Sequence, residues 1–369
     1  MKIIVVAPPA YPVSPKTGGS VEISLYQIAH RVSTIHQVTI LSRNKNKLPP
    51  ITKKGQFTIV RFPKKEKYIN QMISFTGKNE FDIIQVENRP AFVVPLRKKF
   101  PHKKILLVLH SLTFMKKLKK ELQTEIIKKT DAILCNSEFI RNEYMNIFPA
   151  VAHKFHTIYL GADLDRFRPP SLEEKLKERK KYSVEDSFNV LFAGRIIPGK
   201  GVHLLVKAVG TLKNKYPYIK LILIGPCLNK NYRTLLEQEG KNAGIDIRFI
   251  GSIEPSDMHR MYWLGDCFVL PTQFHEAFGL VNIEAMASGL PVIASNRGGV
   301  PEILHSESGI LIEDYQNEEA FRQAIEQIIR FPSQRREMEK IGLDRAQHFS
   351  WENAAQRYCH FYEQLIIST

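Results

Sequence analysis

The sequence predicts an α/β protein made of two doubly wound parallel-sheet domains, and three observations carry that prediction. Short apolar runs alternate with stretches of helical period, which is the pattern of repeated βα units. The series of runs occurs twice, with a turn-rich segment at 161–168 and Pro169-Pro170 between the two. At 369 residues the chain also exceeds the size at which a single hydrophobic core stops growing.

In the first series the apolar run of residues 3–7 is ended by Pro8-Pro9, so 2–7 reads as a buried strand and the run is too short for a signal peptide. Further strands are predicted at 37–42, 58–62, 83–86, 105–109, 132–136 and 154–158, with helices at 20–32 and 123–129 among the connections. The second series is predicted at 189–193, 219–224, 247–250, 267–270, 291–294 and 309–312. The last twenty residues, 350–369, have the pattern of an amphipathic helix with Ser350 as N-cap and Trp351, Ala355, Tyr358, Phe361, Tyr362 and Leu365 available for packing. The expected domains are 1–165, joined by the helix 350–369, and 166–349. A cleft between them is the expected ligand site.

Composition narrows the function classes. A hydrophobic share of 43% without a long low-complexity tract excludes a disordered or fibrous chain. No run of eighteen apolar residues occurs, so no segment spans a bilayer. Cys135, Cys227, Cys267 and Cys359 lie far apart and form no CxxC pair, which fits a reducing cytoplasm and argues against a zinc site. The net charge of +16 is uneven: residues 1–165 carry 27 Lys and Arg against 12 Asp and Glu, leaving +1 for the remainder. Lys98-Lys99, Lys103-Lys104, Lys116-Lys117, Lys119-Lys120 and Lys128-Lys129 make a field suited to an anionic membrane, nucleic acid or a phosphate-bearing substrate, or simply a solvated helix face. No nucleic-acid-binding module is recognisable, so that partner is not expected.

Four segments carry candidate chemistry. In QFHEAFGLVNIE, residues 273–284, Glu276 stands in a loop after a strand and Gly279 opens a helix whose free N–H groups form an anion site. Glu284 lies inside that helix. Two carboxylates beside an anion site suit a nucleotide sugar, since hydroxyls want acceptors and phosphates want donors; a cap and a solvated face are the competing reading. Gly194-Arg195 and Gly199-Lys200-Gly201 follow the strand NVLFA, where Arg195 and Lys200 are able to neutralise a diphosphate; the P-loop pattern is absent. Thr17-Gly18-Gly19-Ser20 in the first βα loop allows close backbone approach to a ligand, with Ser20 as the expected helix cap, or forms a tight turn. It lacks the GxGxxG spacing of a nicotinamide or flavin site. His110 follows the strand KILLVL and emerges at its carboxyl end, where α/β sheets hold ligands. Asp163-Leu164-Asp165 is a literal DxD but reads as linker, because no further carboxylate completes a metal site.

Together these segments resemble the retaining glycosyltransferases of family 4, which have the GT-B fold. The resemblance rests on TGGS, LVLHS, NSEF, LGADLDRF, FAGRIIPGKG and, above all, EAFGLVNIEAMASGLPVIAS followed by NRGGVPEI. It implies two Rossmann-like domains facing across a cleft, with the C-terminal helix crossing back to the first. It implies that Glu284 binds the nucleotide ribose and Glu276 the transferred sugar, with the backbone of Phe278, Gly279 and Leu280 holding sugar and diphosphate. Arg195 and Lys200 would stabilise the departing phosphate in place of a metal ion. Gly18, Gly19 and Gly194 would approach the donor closely, His110 would contact its sugar, and Ile253, in FIGSI, would border the base. The implied reaction is front-face substitution with retention from a nucleotide sugar, most commonly UDP-linked, to a glycan or lipid-linked acceptor, in a cytoplasmic enzyme that can rest on the inner membrane face. Leu160 and Glu87-Asn88 depart from the common pattern, while VENRP and NRGG resemble a branch associated with bacterial spore coats. A GT-B sugar-nucleotide epimerase and a structural coat protein with this fold are the alternative readings.

Overall fold

The computed structural model describes residues 1–15, 18–45, 48–63 and 67–367. Thr17 of the first βα loop therefore lies outside the described residues. The chain divides into two compact units, Met1–Gly161 with Trp351–Thr369, and Ala162–Ser350.

The first unit holds eight strands, β1 (Lys2–Val6), β2 (Gln37–Arg43), β3 (Ile51–Lys54), β4 (Phe57–Phe62), β5 (Ile83–Glu87), β6 (Lys104–Leu109), β7 (Ala132–Cys135) and β8 (Phe155–Thr157). Their order is β3-β4-β2-β1-β5-β6-β7-β8. Neighbours run parallel except β3 and β4, which form a hairpin. The central strands read as continuous apolar runs because helices cover both faces of the sheet. Sequence periodicity missed β3. Its four residues, ITKK, are all exposed, so it has no buried face to announce it. What makes it a strand is the turn: Lys54 pairs with Phe57, and Gly55 takes φ +57° between them.

Helix Ser20–Val32 starts where predicted, but its N-cap is Gly19, and Ser20 is its first helical residue. The cap function passes to Glu22, whose Oε2 accepts the Gly19 N–H at 3.0 Å. Helix Trp351–Ile367 packs against Ser20–Val32 within this unit, joined by an ion pair of 2.5 Å between Arg31 and Glu352.

The second unit holds β9 (Phe188–Ala193), β10 (Ile219–Ile224), β11 (Asp246–Gly251), β12 (Cys267–Leu270), β13 (Val292–Ser295) and β14 (Gly309–Ile312). All are parallel, in the order β11-β10-β9-β12-β13-β14. This is a doubly wound sheet whose winding reverses between β9 and β12, as the first sheet's does between β1 and β5. At such a switch point the loops leaving the strand ends diverge to opposite faces and open a crevice. The Asp163-Leu164-Asp165 segment forms a turn. The Asp163 carbonyl accepts the Arg166 and Phe167 N–H groups at 3.1 and 2.8 Å, and its carboxylate lies 3.8 Å from Arg166.

Candidate active site

The second switch point gathers most of the residues singled out from sequence. The loop after β9 carries Gly194, Arg195 and Lys200; the loop after β12 carries Glu276, Phe278 and Gly279. Backbone contacts lock the two loops together. Gln273 N–H donates to the Gly199 carbonyl at 2.9 Å. Gly201 has φ +69° and passes so close to Pro271 that an added Cβ would stand 1.8 Å from its carbonyl oxygen. Only glycine fits there.

That closure brings Lys200 onto Glu276 as a largely buried ion pair, with the ammonium also 5.2 Å from the centre of the Phe274 ring. Glu276 is fixed from the other side by its main chain. It pairs with Gly298 in an isolated parallel bridge, and its carbonyl accepts the Gly299 N–H at 2.8 Å. Gly298, at φ +66°, leaves no room for a Cβ, which would fall 2.1 Å from the Glu276 oxygen. The NRGG segment is thus the floor under Glu276. Arg195 is exposed and has no ion pair among the described residues.

Gly279 takes φ +103° and caps helix Leu280–Ala287, whose first turn leaves backbone N–H groups without helical partners. Leu280 opens the helix half-buried, and the Phe278 side chain is buried against Phe349, ring centres 5.9 Å apart. Glu284, one turn further, accepts a hydrogen bond from the Tyr262 hydroxyl at 2.6 Å. Burial pushes the Glu284 carboxyl up to about 7, against the opposing pull of the Tyr262 bond and the Arg166 charge. Arg166 also clamps the loop that follows Ile253, through the Pro255 and Ser256 carbonyls at 2.6 Å each. Ile253 itself is half-buried just beyond β11. Tyr262 was not anticipated, because nothing in its sequence surroundings marks it; Arg166 had a signal, its place in LGADLDRF.

In the first unit, Gly18 has φ +150° and an added Cβ would come 2.9 Å from Glu22 Cβ. His110 leaves β6 buried beside Glu87, with Nε2 2.7 Å from Glu87 Oε2 and its backbone N–H on Asn88 Oδ1 at 3.2 Å. Arg89 lies 3.8 Å over the Phe114 ring. Glu22 is buried, and burial raises its carboxyl above the usual range, with His110 and Arg89 among the charges opposing that shift. The sequence reading named Glu87 only as a departure and passed over Glu22.

Among the described residues no group of three or more His, Cys, Asp and Glu side chains is placed to hold a metal ion, and no helix is long and apolar enough to cross a membrane. Cys135, Cys267 and Cys359 are buried thiols and Cys227 is partly exposed; none forms a disulfide.

Comparison with known proteins matches both units. The model of glycosyl transferases group 1 covers residues 174–345, and that of Glycosyltransferase Family 4 covers 17–166. Spore coat protein SA of Bacillus subtilis is 29% identical over 377 residues, spanning 99% of this chain and 100% of the relative. The lipopolysaccharide 1,2-N-acetylglucosaminetransferase of Salmonella typhimurium is 25% identical, with 97% of each chain covered. Among solved structures, sucrose-phosphate synthase of Thermosynechococcus elongatus superposes with a TM-score of 0.83 at 22% identity, covering 100% of both chains. Anabaena HepE in complex with UDP-glucose gives 0.79 at 18%, covering 99% and 100%. Those two likenesses establish the fold, and the family models with the full-length relatives establish the class: the chain is a glycosyltransferase of the GT-B fold.

Proposed function

We propose that the enzyme transfers a hexosyl or N-acetylhexosaminyl group, with retention and without a metal ion, from a UDP-sugar to a glycan or lipid-linked acceptor in bacterial surface-polysaccharide or spore-coat synthesis. The observation that carries the reading is the second unit's switch point, where Lys200, Glu276, the helix start at Gly279 and Glu284 are held together by glycine-tight loops. A diphosphate there meets Arg195, Lys200 and the N–H groups of Leu280's turn, which supply the positive charge that a leaving phosphate needs. Its arrival draws Lys200 from Glu276 and frees that carboxylate for the sugar hydroxyls, while Glu284 accepts from the ribose. Gly194 lets the β9 loop approach, Ile253 borders the base, and Gly18, Gly19 and His110 serve the donor from the first unit.

In the reaction the bond from the anomeric carbon to the diphosphate oxygen breaks, and a bond to the acceptor oxygen forms on the same face. The acceptor's proton passes to the departing phosphate oxygen, so the protein contributes position and charge and supplies no nucleophile. UDP is favoured because HepE, with the same fold, is described in complex with UDP-glucose. The spore-coat context is favoured by the likeness to spore coat protein SA. We also read the enzyme as cytoplasmic and able to rest on an anionic membrane through Lys98, Lys99, Lys117, Lys119, Lys120 and Lys128, which are exposed and have no ion pair among the described residues. Cosedimentation with phosphatidylglycerol vesicles but not phosphatidylcholine vesicles checks that part.

The deciding experiment is turnover of a sugar-nucleotide panel in EDTA by wild type, Glu284→Ala and Lys200→Ala. One donor consumed despite chelation, and lost in both variants, supports the reading. Activity that needs added metal, or that survives both substitutions, overturns it.

A further inference from the structure

We propose that Glu87 is a positioning residue for His110, and that the C-terminal helix sets it through a buried hydrogen-bond chain from Tyr362 by way of Gln85. The proposal rests on the reading of His110 as a contact to the donor sugar. Tyr362 Oη donates to Gln85 Oε1 at 2.5 Å, and Gln85 Nε2 donates to Glu87 Oε1 at 2.5 Å. The second carboxylate oxygen of Glu87 stands 2.7 Å from His110 Nε2. Tyr362, Gln85 and Glu87 are each 2% exposed and His110 is 9% exposed.

The direction of every bond in this chain is fixed by chemistry. A carboxylate only accepts, so the Gln85 amide turns its NH2 toward Glu87 and its carbonyl toward Tyr362. By the same rule His110 Nε2 carries hydrogen. Burial, reinforced by the Glu87 charge, holds the Tyr362 hydroxyl well above its ordinary pKa, so it stays a donor. With Nε2 committed and the His110 backbone N–H bound to Asn88, the ring keeps Nδ1 alone for a ligand.

Gln85 and Glu87 alternate with Ile84 and Val86 on a fully buried strand, where a valine would do as well and a carboxylate is costly to desolvate. A chain of buried polar groups, each with a partner, that ends on the one imidazole at the β6 carboxyl end is what orienting that imidazole requires.

The test uses the full chain in two arms. In proton NMR, a His110 ring N–H bonded to Glu87 gives a far-downfield resonance that is absent in His110→Ala, moves upfield in Glu87→Gln and shifts in Tyr362→Phe. With UDP-glucose and UDP-N-acetylglucosamine as donors, Glu87→Gln lowers kcat roughly ten- to a hundredfold, the worth of a charge-assisted hydrogen bond. It leaves the donor KM within about twofold, as expected for an interaction felt at the reacting centre. On the His110→Ala background the same substitution has no further effect on kcat, because Glu87 acts through the ring. Absence of the resonance in wild type, no response to Glu87→Gln, or an equal loss of kcat in both backgrounds overturns the proposal and indicates a purely structural pair. If His110→Ala turns over donor like wild type while the resonance behaves as expected, the sugar-contact reading fails, and the positioning role with it.

Discussion

Lys200 and Glu276 lie 76 residues apart in sequence and form an ion pair with side chains 13% and 12% exposed. The pair is the junction of the β9 and β12 loops, and it neutralises in advance the cation that a diphosphate would claim. Removing Lys200 therefore does two things: it strands a carboxylate and deletes charge from the proposed leaving-group site. Lys200→Ala is expected to lower kcat about a hundredfold, the usual effect of deleting one preorganised group at a developing anion. Glu276→Gln should lower turnover as well, yet tighten UDP by about fivefold in calorimetry, because a competitor for Lys200 has been neutralised. Weaker UDP binding in Glu276→Gln would refute the competition.

The glycine at 201 and the glycine at 298 are predicted to be irreplaceable for different loops. Each has positive φ and a carbonyl within 2.1 Å of where a Cβ would go. Gly201→Ala should destabilise by at least about 2 kcal/mol, combining left-handed strain with a backbone clash, and open the Lys200 loop. Gly298→Ala should move Glu276. Thermal unfolding and donor turnover measured together would show both falling, whereas Gly244→Ala, with nothing within 4 Å of its Cβ position, loses stability only through its φ of +65°.

Glu284 predicts a pH dependence whose sign is fixed by burial. Its folded-state pKa of about 7 lies above the ordinary carboxyl value of 4.5, so the folded protein holds this proton more tightly than the unfolded chain does. Stability from this group is fully present below about pH 4.5 and is lost as pH rises through 7. The span is on the order of 3 kcal/mol for a shift of this size. Glu284→Gln mimics the neutral form, so its Tm relative to wild type should climb between pH 5 and 8, as followed by scanning calorimetry without ligand. A flat difference would show that the carboxyl titrates in its ordinary range.

Tyr262→Phe removes the 2.6 Å bond to Glu284, together with the longer 3.4 Å contact of the same hydroxyl to the Val281 carbonyl, and keeps the ring. It leaves a buried carboxylate oxygen without its donor, at about 1 to 3 kcal/mol. The pH midpoint of the Glu284 effect should move further upward in this variant, and UDP binding at pH 7 should weaken.

The two sheets were legible because their strands are mostly apolar runs, and all six strands of the second unit differ from expectation by at most one residue at either end. β3 escaped because ITKK is exposed throughout and owes its conformation to the turn at Gly55. The loops bearing Arg195, Lys200 and Glu276, and the glycine-opened helix that carries Glu284, announced themselves by glycine and charge beside strand ends. Tyr262 and Glu22 did not. A tyrosine in a five-residue helix and a glutamate in the first turn of another look like ordinary packing and capping until the chain is folded. The same is true of Gln85 and Glu87, whose polarity in an apolar strand was visible but whose partner on the C-terminal helix, 277 residues from Gln85, was not.

The lysines of β3 have a consequence for how this protein behaves when crowded. A parallel sheet ends in a row of unpaired backbone donors and acceptors, and a long flat edge invites a second chain to continue it. Here the first sheet ends on a strand of only four residues, two of them Lys53 and Lys54, folded back antiparallel on β4. Any chain arriving edge-on meets two ammonium groups and a strand too short to template a partner. The hairpin thus keeps a strongly hydrophobic sheet from growing into its neighbours, and Lys53→Val with Lys54→Val would turn that stop into an aggregation seed.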